Sequence, residues 1–182
     1  MLTPELDARF RAAALAEGLV DVRYDVADSP VGPLFLAATA RGLCRISYRF
    51  DGQEDELARS FGLRVLRVPL DDVRRELDEY FEGRRRAFDL RLDLRVAPFH
   101  EAVLHELARV PYGRTATYGS LAAKVGRPRA ARAVGTVMNR NPIPIVLPCH
   151  RVVGANGSLT GYAGGLHVKR ALLELEGAIL PA

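Results

Sequence analysis

The chain has 182 residues, enough for one domain or two small ones, and its 48% hydrophobic and 26% charged residues exclude a disordered, collagenous or low-complexity protein. Two cysteines cannot form a disulfide framework and no apolar run is long enough to cross a membrane, so we expect a cytoplasmic protein without membrane contact. The net charge is +4, but residues 97–182 carry ten basic and four acidic side chains, against 16 and 18 in residues 1–96. Unless this imbalance is chance, the second half suits a polyanionic partner such as nucleic acid.

Residues 1–96 carry the patterns of a small α+β unit. Apolar side chains at helical spacing predict a helix over 4–16. Short runs separated by Ser-Pro, Gly-Pro and Arg-Gly pairs then predict an antiparallel meander, followed by two amphipathic helices with a strand between them. In chain order these are strands over 21–26, 34–38 and 43–50, a helix over 53–61, a strand over 63–68 and a helix over 70–81 with a buried stripe of Leu70, Val73, Leu77 and Phe81. Residues 88–94 alternate and predict either one more strand or an extended linker.

Residues 97–182 are dominated by helices and loops. Pro98 suits the first position of a helix that continues over 99–110. A second helix over 118–125 ends at Gly126, and Pro128 is predicted to open a third that runs to about Asn139. Two helices joined by a short turn with a glycine are typical of a helix-turn-helix, although many such pairs only pack together. We therefore expect two domains, 1–96 and 97–182.

The segment around Cys149 carries the strongest chemical signal. Three prolines bracket an apolar run at 142–148, and Cys149, His150 and Arg151 follow directly. A lone cysteine is usually a small buried hydrophobe, but a nucleophilic thiol needs a neighbouring imidazole or cation to ionise at neutral pH, and His150 and Arg151 are candidates. Neighbouring side chains in a strand point to opposite faces, so a partnership of Cys149 with His150 requires a turn or a bridging water. The glycine-rich residues 154–165 suit a flexible pocket wall and lack the register of a dinucleotide site.

Other candidate motifs are interpreted as structural. His100 and His105 lie five residues apart, about 140° around a helix, so we expect no shared metal ion. Cys44 lies in a strand pattern and is assigned to the core. The arginines at 84–86 are interpreted as a solvated loop with at most a minor phosphate contact.

The sequence Pro-Cys-His-Arg-Val at 148–152 resembles the methylated-DNA–protein-cysteine methyltransferases, also called O6-alkylguanine-DNA alkyltransferases. Asn141-Pro142 before it, Gly161-Tyr162-Ala-Gly-Gly165 after it and Lys169 belong to the same pattern. The resemblance runs from about Pro98 to Gly177, including Tyr118 and an Arg-Ala-Val-Gly helix. It implies an α+β fold, in which a small N-terminal ribonuclease H-like domain precedes a mostly helical C-terminal domain with a helix-turn-helix.

The resemblance implies irreversible, single-turnover DNA repair. Cys149 would accept the alkyl group of O6-alkylguanine, with O4-alkylthymine as a further expected substrate, and no cofactor would be needed. By analogy His150 would deprotonate the thiol through a water, Glu176 would orient the imidazole and Asn141 would hold the turn. Without the motif, Glu176 reads as a solvated acid at the end of a helix over 166–175. The expected partner is duplex DNA that contains O6-alkylguanine, and the expected state is a monomer.

The same resemblance implies that the base is flipped out from the minor groove by the second helix of the helix-turn-helix. Arg132 would replace the base in the stack, and Tyr118 would donate to the guanine ring and crowd the adjacent phosphate, unless it only packs on the core. The backbone carbonyls of Cys149 and Val152 would accept from the guanine amine. Further implied contacts are Ala130, Ala131, Arg129 and Gly135 at the DNA, and Tyr162, Ala163 and Lys169 at the pocket.

Ala163 departs from the pattern, since several relatives carry serine there. A side-chain hydroxyl near O6 is therefore absent, while the backbone N–H is kept. We expect activity to survive with an altered rate or substrate range.

Two other classes of protein remain open. A non-catalytic binder of alkylated DNA, or a helix-turn-helix regulator, would share the helices, but such binders replace the acceptor cysteine that this chain keeps at position 149. A cysteine hydrolase built on Cys149, His150 and Glu176 would need turnover and an oxyanion hole, which the sequence does not indicate.

Overall fold

The computed structural model describes residues 3–180, and its first half is built on a four-stranded sheet. Strands β1 (Val22–Ala27), β2 (Leu34–Thr39) and β3 (Gly42–Ser47) form the predicted antiparallel meander, which is confirmed, and β4 (Val65–Arg67) adds in parallel beside β1. The strand order is therefore β3-β2-β1-β4. Three helices belong to this half: α1 (Pro4–Ala16), α2 (Gln53–Phe61) and α3 (Asp71–Phe81).

Helix α3 buries a different aromatic residue from the one predicted. Tyr80 is fully buried, whereas Phe81 is only half-buried. The reason is geometric: residues 73, 77 and 80 follow the helical spacing of four and three, so Tyr80 continues the stripe that Val73 and Leu77 begin. The loop after α3 is solvated at Arg84 and Arg86, as predicted, whereas Arg85 is half-buried and pairs with the carboxylates of Glu76 and Glu79.

Residues 88–94 form neither a full strand nor a free linker. Leu43 N–H donates to the carbonyl of Arg91 at 2.8 Å, and Asp93 N–H donates to the carbonyl of Leu43 at 2.9 Å. Gly42 permits this approach, since a Cβ there would lie 2.3 Å from the carbonyl oxygen of Arg91. The segment is therefore fastened to β3 at Leu43.

The second half is mostly helical. Its elements are α4 (Pro98–Ala108), β5 (Ala116–Thr117), α5 (Tyr118–Lys124), α6 (Ala131–Asn139), a 3₁₀ turn (Cys149–Arg151), β6 (Val152–Val153) and α7 (Leu166–Leu175). Strands β5 and β6 pair in parallel as a second, two-stranded sheet. No helix within residues 3–180 is long and apolar enough to cross a membrane.

Helices α5 and α6 form the helix-turn-helix pair, but α6 starts later than predicted. The prediction that Pro128 opens the helix is wrong by three residues, because Pro128 lies in a turn that Ala130 N–H closes on the carbonyl of Arg127 at 2.8 Å. Proline fixes φ equally well for the second position of such a turn. Arg129 and Ala130 thus precede the helix, and Arg132 lies in its first turn.

One hydrophobic cluster runs through both halves of the chain. It joins Leu36 of the sheet and Leu77 of α3 to Leu104 of α4 and Leu172 of α7, all of them buried. A smaller cluster on the sheet includes Cys44, which is 1% exposed and confirms its assignment to the core. The fold is α+β, as predicted.

Candidate active site

Asn141 closes the turn that leads to Cys149. Its side-chain amide donates to the carbonyl of Leu147 at 2.7 Å, and its carbonyl oxygen accepts from Ile143 N–H at 3.1 Å. Within this turn Ile145 is fully buried with φ +75°, a left-handed conformation that costs a β-branched residue about 1–3 kcal/mol. The backbone is therefore held in place by its surroundings, as the predicted role of Asn141 requires.

Cys149 begins a 3₁₀ turn, so the turn that a partnership with His150 requires is present. The cysteine is 4% exposed. Burial raises the pKa of its thiol to about 11, although the neighbouring Asn141 amide and the Lys169 ammonium oppose this effect. The resting thiol is therefore neutral at pH 7, and its activation requires a base.

Glu176 lies buried at the C-terminus of α7 and accepts hydrogen bonds on both carboxylate oxygens. His150 Nε2 lies 2.8 Å from Oε1, Tyr80 Oη donates to Oε1 at 2.7 Å, and Arg151 donates to both oxygens at 2.8 and 2.9 Å. Gly113 N–H donates to Oε2 at 3.3 Å. Burial opposes ionisation, but the hydrogen bonds from His150 and Arg151 outweigh it and lower the pKa of the Glu176 carboxyl to about 2.

His150 is fully buried and held in one tautomer by this carboxylate. An ionised carboxylate can only accept, so the hydrogen-bond network assigns the proton to Nε2. Nδ1 is buried as well and has no hydrogen-bond partner among residues 3–180. Burial lowers the pKa of His150 despite the opposing effect of Glu176. The imidazole is thus a neutral base with a free lone pair on Nδ1.

Arg151 does not act on the thiol as the sequence suggested. Its guanidinium forms two hydrogen bonds with Glu176 and donates through Nη1 to the carbonyl of Val110 at 2.5 Å. The prediction that Arg151 helps Cys149 to ionise is therefore wrong, because the guanidinium is committed to the carboxylate.

Lys169 fastens the glycine-rich segment to β6. Its ammonium is fully buried and donates to the carbonyls of Val152 at 2.6 Å and Thr160 at 2.7 Å. Tyr162 lies within this segment, and its hydroxyl pairs with that of Tyr48 at 2.8 Å while its ring stands edge-on to His150 at 6.4 Å. Ala163 follows and is exposed. The predicted pocket residues Val152, Tyr162 and Lys169 are therefore brought close to the His150 turn.

The predicted DNA-contacting residues lie on α5, α6 and the turn between them, and Tyr118 links this surface to the cluster through Thr160. Arg129 and Arg132 are exposed and form no ion pair with any residue in the described part of the chain. Tyr118 starts α5, and its hydroxyl pairs with that of Thr160 at 2.9 Å. Gly135 packs against the Tyr118 ring, where a Cβ would lie 3.9 Å away. The small residues Ala130 and Ala131 stand at the start of α6 and are half-buried.

Sequence reasoning missed three residues that touch the site: Tyr48, Tyr80 and Thr160. The helical spacing of α3 could have indicated that Tyr80 is buried, but nothing in the sequence indicates its hydrogen bond to Glu176. Thr160 and Tyr48 carry no local signal at all. Between residues 3 and 180 no group of three or more His, Cys, Asp or Glu side chains could hold a metal ion.

Comparison with known proteins identifies two families of domains in the chain. Residues 22–94 match the 6-O-methylguanine DNA methyltransferase ribonuclease-like domain, and residues 98–178 match the 6-O-methylguanine DNA methyltransferase DNA-binding domain. The methylated-DNA–protein-cysteine methyltransferase of Methanosarcina acetivorans is 42% identical over 157 residues, which cover 85% of this chain and 98% of that protein. The protein of the same name from Mycobacterium tuberculosis is 44% identical over 161 residues, which cover 88% and 96%.

Solved structures agree with these matches. The crystal structure of the M. tuberculosis O6-methylguanine methyltransferase superposes with a TM-score of 0.76 at 41% identity, covering 88% of this chain and 96% of that one. A crystal structure of the M. tuberculosis OGT protein in complex with DNA gives a TM-score of 0.76 at 42% identity, covering 86% and 93%.

Proposed function

The chain belongs to the methylated-DNA–protein-cysteine methyltransferase family, and on that premise we propose how its own residues carry out the reaction. The protein repairs DNA by transferring an alkyl group from O6-methylguanine to one of its own cysteines, so each molecule reacts once. Its partner is DNA. The observation that carries the assignment of residues is the buried His150, which Glu176 holds by Nε2 and leaves with a free Nδ1 one residue from Cys149.

In the proposed mechanism Cys149 is the nucleophile and His150 the base. A water relays the thiol proton from Sγ to Nδ1, and the thiolate then attacks the alkyl carbon on O6. The bond between that carbon and O6 breaks, and its electron pair passes to the guanine ring, to which the Tyr118 hydroxyl donates a hydrogen bond as negative charge develops. The guanine anion then takes a proton from water, and His150 returns the thiol proton to water. The alkyl group stays on Cys149 as a thioether. Glu176 remains ionised and orients the imidazole throughout.

Access to the thiol requires a flipped base. Cys149 is 4% exposed, and a base stacked inside a duplex cannot approach it. We infer that α6 enters the minor groove with Arg132 filling the gap that the base leaves, while Ala130, Ala131 and Gly135 permit close approach of the backbone. Arg129 then contacts phosphate.

Two backbone carbonyls select guanine in this proposal. The Cys149 carbonyl accepts from Val152 N–H, and the Val152 carbonyl accepts from Lys169. Each oxygen has a second lone pair for the exocyclic amine of the flipped base. Tyr162 lines the pocket, and the backbone N–H of Ala163 replaces the hydroxyl that several relatives supply. O4-alkylthymine is proposed as a further substrate.

We further propose residues 1–96 as the structural domain and 97–182 as the DNA-binding and acceptor domain, acting as a cytoplasmic monomer. Both cysteines are free, as a thiol acceptor in a reducing compartment requires. A regulator fits less well, because it would have no use for a buried His150–Glu176 pair directly after a cysteine. A hydrolase fits less well, because both halves of the chain match alkyl-transfer domains.

The direct test is incubation of the protein with excess duplex that carries O6-methylguanine, followed by intact mass and peptide mapping. We expect one gain of about 14 Da, on Cys149, which stops at one equivalent. Binding of the lesion without a mass change would instead support a non-catalytic binder. Modification of a different residue would overturn the assignment of Cys149.

Arg132→Ala should separate flipping from chemistry. We expect the single-turnover rate on duplex DNA to fall about 10- to 100-fold, since unstacking a base costs a few kcal/mol, while reaction with free O6-benzylguanine stays within about twofold of wild type. Arg59→Ala is the matched control, because it removes an equally exposed positive charge from α2. Equal losses on both substrates would remove the flipping role of Arg132.

A further inference from the structure

We propose that Tyr80, contributed by α3 in the ribonuclease-like half, is a positioning residue for alkyl transfer that acts on His150 through Glu176. The inference rests on the proposed roles of Cys149, His150 and Glu176. It assigns to the first half of the chain a part in the chemistry, whereas the reacting groups all lie in the second half.

The contact is direct and well enclosed. Tyr80 Oη donates to Glu176 Oε1 at 2.7 Å, and both side chains are buried. Neighbouring aromatic rings surround the Tyr80 ring, with centroid distances of 5.3 Å to Phe81, 5.4 Å to Phe88 and 6.2 Å to Tyr112. A buried hydroxyl cannot form a hydrogen bond with solvent, so packing of the ring fixes its hydrogen bond to the carboxylate.

Three donors converge on one oxygen. His150, Tyr80 and Arg151 all bond to Glu176 Oε1, which has two lone pairs. Each donor withdraws electron density from this oxygen and weakens its attraction for the others. Tyr80 therefore competes with His150 for the carboxylate and limits how strongly Glu176 can stabilise the imidazolium. The consequence is a His150 that stays neutral, and so able to accept the thiol proton, at lower pH than it would without Tyr80.

No second tyrosine within residues 3–180 donates to Glu176 Oε1, and the other donors to this oxygen are His150 and Arg151. Tyr112 Oη donates to the carbonyl of Leu175 at 3.1 Å, and the Lys169 ammonium is taken by two backbone carbonyls. The titratable and charged groups that act on the His150–Glu176 pair are Tyr80, Tyr112, Arg151 and Lys169; Tyr162 stands edge-on to the imidazole, and Cys149 precedes His150 in the chain. Of these only Arg151 also touches Glu176, and it already uses Oε1.

The test is the pH profile of Tyr80→Phe, which keeps the ring and removes the hydroxyl. Single-turnover transfer from duplex O6-methylguanine is measured from about pH 5 to 9, where the acid limb reports protonation of the base. We expect that limb to move to higher pH by about half a unit to one unit, because the freed Oε1 raises the pKa of His150. The rate on the alkaline plateau should change by less than about threefold. A uniformly lower rate with an unmoved limb would overturn the proposal and leave Tyr80 a packing residue.

Tyr112→Phe is the matched control, since it removes a tyrosine hydroxyl from the same neighbourhood that bonds to backbone rather than to Glu176. Its acid limb should coincide with that of wild type. NMR titration of the His150 imidazole gives a second readout that needs no transfer. A higher pKa of His150 in Tyr80→Phe than in wild type supports the inference even if Cys149 proves not to be the acceptor. An unchanged pKa of His150 contradicts the inference even if transfer proceeds normally.

Fluorination covers the case in which Tyr80→Phe fails to fold. Site-specific 3-fluorotyrosine at position 80 keeps the hydroxyl and makes it a stronger donor. It should shift the His150 titration to lower pH, opposite to the effect of removing the hydroxyl. A shift to higher pH, or none, would contradict the competition between Tyr80 and His150.

Discussion

Replacing Cys149 by Ser is expected to abolish alkyl transfer and to leave affinity for an O6-methylguanine duplex within about threefold of wild type. A serine hydroxyl is far less acidic than a thiol, so the neutral His150 cannot generate a useful nucleophile from it. The change deletes no contact of the α5–α6 surface, so binding persists. Intact mass after incubation, together with a gel-shift titration, measures both properties.

Cys44→Ser is the matched control for this experiment. Cys44 is the other free cysteine, but it is buried in the smaller cluster on the sheet and its thiol bonds to a backbone carbonyl with no histidine next to it in the chain, so it is not a competing acceptor. A serine at this position can still donate to the carbonyl of Ala37, to which the thiol now donates at 3.3 Å. We expect full transfer by this variant. Transfer by Cys149→Ser, or its loss in Cys44→Ser, would place the acceptor elsewhere.

Glu176→Gln is expected to slow transfer by about 10²- to 10⁴-fold, because the base loses the anion that fixes its tautomer and steadies its charged form. It is also expected to lower the free energy of unfolding by about 3–5 kcal/mol, since Arg151 is left buried without its counter-ion. The amide must in addition point its NH₂ group at a donor. Single-turnover rates and urea unfolding measure the two effects.

Glu174→Gln serves as the control, because Glu174 lies on the same helix but its one ion pair within residues 3–180 is with the half-exposed Arg170, at 3.6 Å. Both its rate and its stability should stay close to wild type, within about 0.5 kcal/mol for the latter. If both variants lost stability equally, the special position of Glu176 would be refuted.

The stability difference between wild type and Glu176→Gln should depend on pH. The pKa of Glu176 is about 2 in the folded protein against an ordinary value of 4.5, so the unfolded chain binds the proton more readily. The stabilisation by this carboxylate is thus complete above pH 4.5 and is lost as the pH falls towards 2. Urea midpoints of the two proteins should converge across that window.

The elements with strong local periodicity could be predicted from the sequence. Helix α2 starts and ends at the residues expected, Gln53 and Phe61, and the meander and the helix-turn-helix are where they were predicted. The error at Pro128 was local, since proline suits a turn as well as a helix start. The periodicity of α3 does not determine whether Tyr80 or Phe81 is buried, because this depends on which elements pack against that face of the helix.

Long-range pairings account for what the sequence could not show. From its position at the end of a helix, Glu176 is expected to be a solvent-exposed acid, and only the family motif identified it as a site residue. Its burial arises because Tyr80, 96 residues earlier, and Arg151, 25 residues earlier, meet it in space. No spacing rule connects these positions. The Cys149 motif could be recognised from its neighbours in the sequence. The orientation of Arg151 could not, because it depends on the hydrogen bonds that the guanidinium forms with Glu176.

The segment over residues 88–94 restricts how the molecule can open. Because its backbone is fastened to Leu43 and its leucines pack on a core that both halves share, a hinge between the halves would have to break that core. We therefore expect the two halves to move as one unit when the protein binds DNA. By contrast, hydrogen bonds from Lys169 to the Thr160 carbonyl and between the hydroxyls of the pairs Tyr118–Thr160 and Tyr48–Tyr162 hold residues 154–165, so we expect any motion beside Cys149 to be confined to this segment.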